Sequence, residues 1–186
     1  DILRDSDVSG EGKAIAYYAL MASDKERKIM DSLEDGTDMG AVVSALIDAG
    51  DSESKLQSYR RVVDSGLDDA GQMNMLAGMM TESEYAKVQT GYDFGVTPEI
   101  WVTFREQLNQ FDQDGNGAFN QDEAAAAIDA MGGSGGIMLP GNGGVQSLTV
   151  TQQAVLWQLL NKSWKPKNNP YSTSIGQEVY DALNGE

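Results

Sequence analysis

The chain has 186 residues, no cysteine, no histidine, and 13 basic against 29 acidic side chains, a formal charge of −16. Lacking thiol and imidazole, it cannot build disulfides, Ser-His-Asp or Cys-His catalytic groups, or most zinc and copper sites; oxygen-ligated calcium or magnesium is the natural metal. Its acidic field repels nucleic-acid phosphates and anionic headgroups, and no run reaches the ~20 apolar residues of a bilayer span, so neither nucleic acid nor membrane is an expected partner.

The length suits one medium domain or two small ones with a sizeable core. The chain starts at Asp1 rather than at methionine, which reads as a piece of a longer polypeptide. Asp5, Asp7, Ser9 and Gly10 match the first, third, fifth and sixth positions of a cation loop. Ala16 falls where that loop needs a bidentate carboxylate, and Gly12 where it needs an apolar anchor, so the stretch reads as a capped turn with a degenerate second site as the alternative. Residues 12–22 form a small apolar helix around Ile15, Tyr18 and Leu20, and Ser23 with Glu26 makes a capping box ahead of Ile29, Met30 and Leu33. Met39, Val42, Val43 and Leu46 share a helical face between Asp38 as cap and Gly50 as stop.

Asp51 or Ser52 opens a helix through Leu56, Tyr59, Val62 and Val63 that ends near Gly66. Asp68 caps the next, which carries Met73, Met75, Leu76, Met79 and Met80. Methionine at this spacing fills cores, although a methionine surface can also re-pack around partner helices when a calcium sensor opens. Thr81 and Glu84 form a further capping box before Tyr85, Val88 and Tyr92.

Thr97 as cap and Pro98 in the first turn start a helix with Ile100, Trp101, Phe104, Leu108 and Phe111 on one face. Residues 112–123 then read D-Q-D-G-N-G-A-F-N-Q-D-E. A twelve-residue loop around a hard divalent cation needs side-chain oxygens at positions one, three and five, supplied by Asp112, Asp114 and Asn116. Gly117 permits φ > 0 at position six, Ala118 offers its carbonyl at seven, Asn120 binds directly or through water at nine, and Glu123 closes the shell with both carboxylate oxygens. Phe119 sits where an apolar anchor belongs. Asp, Asn and Gly also crowd ordinary turns, but turn chemistry does not place six constraints in register with a closing Glu between two helices. The stretch resembles an EF-hand loop at each demanding position, with Ca2+ as the expected ion. An alanine-rich helix over 123–131 follows, with Ile128 and Met131 three apart.

Residues 132–144 include seven glycines and read as a flexible linker. The lysine of a phosphate-cradling loop, with the hydroxyl residue that follows it, is missing from them. Thr149 or Thr151 starts a helix with Val155, Leu156, Leu159 and Leu160, flanked by Trp157 and Trp164. Lys162, Lys165 and Lys167 surround Trp164; a solvated turn is the ordinary reading, a phosphate or acidic partner the alternative. Pro166, Asn168, Asn169 and Pro170 make a turn, and Ser174 with Gln177 opens a last short helix.

With no sustained two-residue alternation, the expected fold is all-α: an irregular array of about nine short helices, held by packing their apolar faces together. The expected organisation is a helical body over 1–131 containing the EF-hand unit 97–131, a linker over 132–144, and a C-terminal helical hairpin over 145–186. The segment L-T-V-T-Q-Q-A-V-L-W-Q-L-L-N-K-S-W-K-P-K-N-N-P-Y, residues 148–171, looks like the C-terminal stretch of large proteins encoded by phages and prophages of gut bacteria. The W-V-T-F-R-E-Q-L helix ahead of the cation loop is similar to them too. That resemblance implies a helical region of a virion-associated protein with protein partners and no catalytic residue. No nucleophile-elbow, kinase or phosphate-loop signature is present, so no enzyme is expected. An ion-stabilised enzyme fragment would need convergent carboxylates in a cleft away from the loop.

Overall fold

The computed structural model describes residues 52–115, 119–132, 136–141, 144–160 and 164–185. The helices expected over 12–50 and the Asp5 turn lie outside these residues. The chain divides into two compact units, 1–85 and 86–186. The division falls at 85/86, and the glycine-rich stretch lies inside the second unit together with the cation loop and the C-terminal helices.

In the first unit, α1 (Ser52–Val63) buries Leu56, Tyr59 and Val62 at three-residue spacing, and Arg60 and Arg61 in its last turn complement the negative end of the helix dipole. Gly66, at φ +76°, turns the chain out of it, a conformation that a side chain would strain. Asp68 caps α2 (Asp69–Ala77) by accepting the Gly71 N–H at 2.9 Å. Buried Gln72 donates to the Val63 carbonyl at the end of α1 and to the Leu67 carbonyl in the turn that follows, at 3.2 and 2.9 Å. Met73, Met75, Leu76, Met79 and Met80 are all buried. At the start of α3 (Glu82–Asp93), Thr81 Oγ1 accepts the Glu84 N–H, while the Glu84 carboxylate takes the Tyr59 hydroxyl at 3.1 Å.

In the second unit, Thr97 Oγ1 accepts the Ile100 N–H and Pro98 fills the first turn of α4 (Pro98–Asn109), whose buried face includes Ile100, Trp101, Phe104 and Leu108. It packs against α5 (Gln121–Ala130), which contributes Ala124, Ala127 and Ile128. β1 (Met138–Gly141) pairs antiparallel with β2 (Gly144–Ser147), with Leu139 opposite Gln146, and β1 lies against α4. Thr149 and Gln152 exchange N–H and side-chain bonds at the start of α6 (Val150–Leu160). Gln153 then joins that helix to the hairpin: its amide donates to the Leu148 carbonyl at 2.8 Å and accepts the Ile137 N–H at 3.2 Å. Gly136 lies so close, at φ +93°, that a Cβ there would sit 2.7 Å from the Gln153 oxygen. A 3-10 turn (Pro166–Asn168) leads into α7 (Thr173–Asn184), which packs on α6.

The described residues hold seven α-helices, so the molecule is largely helical, but the all-α expectation is corrected by the β1–β2 hairpin, which begins inside the supposed linker and runs past its end to Ser147. Each strand has only four residues, and Leu139 is the one buried residue among the eight, so no alternation long enough to read was present. The last helix is also capped differently from expectation. Ser172, not Ser174, accepts the Ile175 N–H at 3.3 Å, and Gln177 donates to Asp181.

Asn169 is buried between α6 and α7, donating to the Ala154 carbonyl at 2.7 Å and accepting the Tyr171 N–H at 3.1 Å. Replacing Asn169 with Ala removes both bonds and is expected to cost about 1–3 kcal/mol in urea unfolding, while Asn168→Ala next to it stays within about 0.5 kcal/mol. Equal losses for the two variants would show that Asn169 does not pin the turn.

Candidate metal centre

Phe111 closes the C-terminal turn of α4 by donating its N–H to the Leu108 carbonyl, and the acidic loop begins at the next residue. Within it Asp112 is partly exposed, Asp114 exposed and Glu123 only 4% exposed. One oxygen from each of the three lies within 4.8 Å of the others. Among the described residues this is the single group of three or more acidic side chains that converges in this way. Asn116, Gly117 and Ala118 lie outside the described residues. Gly115, at the fourth loop position, has φ +68°, so a left-handed residue falls at a place the sequence reading had not assigned.

Glu123 holds the loop together. Its Oε1 accepts the Gln113 N–H at 3.1 Å and its Oε2 the Asn120 N–H at 3.0 Å, so one buried carboxylate ties the second loop position to the ninth. Asn120 answers as N-cap of α5, its Oδ1 accepting the N–H groups of Asp122 and Glu123 at 2.9 and 3.0 Å. Together they form a reciprocal capping box, and Asp122 and Glu123 sit at the positive end of the helix dipole. The Asn120 oxygen thus spends both lone pairs on the helix, which leaves none to ligate an ion directly.

Phe119 is buried at 7% exposure, in the anchor role expected of it. The Arg105 guanidinium lies 5.2 Å from its ring centroid, a cation–π contact that couples α4 to the far end of the loop. Neither Arg105 nor the Gln113 N–H emerged from the sequence reading. Backbone donors leave no residue-type signal, and a lone arginine on a helix has none specific to a distant aromatic ring.

Three carboxylates this close repel one another by about 1–3 kcal/mol per pair, depending on how far water screens them. A divalent cation reverses the sign of that term. Calcium binds oxygen at about 2.3–2.6 Å, so ligands on opposite sides of its shell stand about 4.6–5.2 Å apart. Oxygens within 4.8 Å of one another fit such a shell. Each Glu123 oxygen accepts one N–H and keeps a second lone pair for an ion. The donor set therefore fits a hard cation.

Elsewhere, Lys165 and Lys167 are exposed beside Trp164, and Lys162 lies outside the described residues. Among the described residues no helix is long and apolar enough to cross a membrane. Compared with protein-family models, curated proteins and solved structures, the chain matches none.

Because Asn120 caps α5 whether or not an ion is present, Asn120→Ala is expected to lower stability by about 1 kcal/mol in chelator. Urea unfolding in the presence and absence of calcium checks this. A loss confined to calcium would show that the oxygen serves the ion and not the helix.

Proposed function

We propose that this chain is a calcium-binding helical module in which one ion, held by the loop over 112–123, stabilises the junction between α4 and α5. The observation that carries the reading is the convergence of Asp112, Asp114 and buried Glu123 within 4.8 Å, next to a seated Phe119. Asp112 and Asp114 supply oxygens from the α4 side, Glu123 closes the shell from the α5 side, and Asn116 and Ala118 complete it from between. Asn120 contributes through water. The ion is a structural support: it neutralises the carboxylates and binds the exit of one helix to the entry of the next.

Three acidic ligands in one loop correspond to a dissociation constant on the order of micromolar to millimolar. At about 100-fold above that constant, binding to the folded state alone adds about 2.7 kcal/mol. The methionines of α2 and its exit turn are core residues here, so nothing in their placement favours the sensor reading. The setting of the module within a larger, virion-associated polypeptide rests on the resemblance of residues 148–171 and of the W-V-T-F-R-E-Q-L helix.

Thermal melts in calcium and in chelator test the proposal. In the wild type, saturating calcium is expected to raise Tm by on the order of 10 °C. Asp114→Ala, at an exposed position, is expected to melt like the wild type in chelator and to lose most of the calcium-induced rise. Glu123→Gln keeps the shape but offers one acceptor oxygen instead of two, so it also loses about 1 kcal/mol in chelator. A wild-type Tm indifferent to calcium, or variants that respond as the wild type does, would remove the structural role of the ion.

A further inference from the structure

Arg105 is the only basic residue between Lys87 and Lys162, while the helix-loop-helix over 97–131 that contains it carries seven carboxylates. Its guanidinium lies 5.2 Å from the Phe119 ring centroid, within the ~6 Å reach of a cation–π contact. Arg105 is half-buried and Phe119 buried, a setting in which such a contact is stronger than at a fully exposed site. The contact joins α4, from which the loop departs, to the residue just ahead of the cap of α5, which the loop enters.

We infer that Arg105 is a positioning residue for the cation: by holding the Phe119 ring it keeps the loop over 112–123 closed and so raises its affinity for calcium. This rests on the calcium reading of that loop. An apolar residue directly before an N-cap fixes the angle at which the chain enters the helix, and Phe119 stands there, next to Asn120. The Asn120 N–H is held by Glu123 Oε2 at 3.0 Å, and Oε1 of the same carboxylate holds the Gln113 N–H at 3.1 Å. The seat of the ring is thus passed, through one backbone group, to the carboxylate that closes the shell.

Before an ion arrives, Asp112, Asp114 and Glu123 repel one another, and that repulsion favours open forms of the loop. The apparent affinity of a site is its intrinsic affinity scaled by the fraction of molecules already in the competent form. A clamp that lies outside the loop and holds it closed raises that fraction. The charge of Arg105 has the opposite effect, since a positive side chain near the site repels a divalent cation. A third role, packing that is the same with and without the ion, changes stability and leaves affinity alone. Clamp, charge and packing therefore differ in the sign of what is measured when the guanidinium is removed.

The test is calorimetric titration of the full chain with calcium, alongside amide hydrogen exchange in chelator. Arg105→Met keeps a long side chain without the charge and is expected to bind calcium about threefold or more weakly, with faster exchange of the Gln113 and Asn120 N–H groups. Arg105→Lys can still place a cation over the ring and should recover most of the affinity. Phe119→Leu keeps an apolar anchor without the ring, so it should lose affinity as Arg105→Met does, and the double variant should lose no more than either alone. If Phe119→Leu fails to fold, the two Arg105 variants still decide. Unchanged affinity in Arg105→Met, with only its melting temperature lowered, overturns the inference in favour of packing, and tighter binding overturns it in favour of charge repulsion. Failure of Arg105→Lys to recover the affinity overturns it as well, because the cation over the ring is then not the cause. A wild-type chain that binds no calcium removes the reading of the loop itself, whereas a wild type that binds, beside variants that bind equally well, removes only the role of Arg105.

Discussion

A single buried carboxylate organises the second unit around its loop. Glu123 is the first-turn residue of α5 and at the same time the acceptor for backbone N–H groups at Gln113 and Asn120. Taking an ionised carboxylate out of water costs several kcal/mol, and two backbone hydrogen bonds with the α5 dipole offset part of it. The rest of the local structure follows from having Glu123 there. The loop must fold back over ten residues, Phe119 is carried into the core, and Ala124 and Ala127 lie on the buried face of α5 where it packs on α4. Two further carboxylates are drawn to the same point, an arrangement that is unfavourable alone and favourable around a cation.

The parts of this architecture that depend on side chains acting on their nearest neighbours were legible in the sequence. Asp68 and Thr97 cap the helices they precede, and the apolar spacing of Leu56, Tyr59 and Val62, or of Ile100, Trp101, Phe104 and Leu108, marks buried faces. The acidic loop was legible because its spacing carries several constraints at once. The β1–β2 hairpin was not, since a four-residue strand containing one buried leucine carries too little pattern and its glycines suggest mobility. Gly136 instead lets the backbone pass close against the Gln153 side-chain amide.

Other differences arise where one residue has two possible partners. Asn120 suits both a ligand and an N-cap, and the structure places its oxygen on the helix N–H groups. Glu84 suits a capping box, yet its carboxylate receives the Tyr59 hydroxyl. Ser172 precedes α7 and Ser174 lies in its first turn, and the turn fixed by Asn169 decides in favour of Ser172 as cap. In each case tertiary geometry selects among locally equivalent options, and a linear sequence holds no term for that choice.

Charge is distributed with the same economy as the packing. The acidic residues that raise the local concentration of cations break off at Asp129, near the end of α5, and resume at Glu178, so that the hairpin, α6 and the turn after it carry none. Calorimetric titration of the chain with calcium tests the central claim most directly. The account predicts saturable binding of one ion to the described loop at micromolar to millimolar concentration, lost in Asp114→Ala. No heat of binding across that range, or binding that survives Asp114→Ala unchanged, would contradict it.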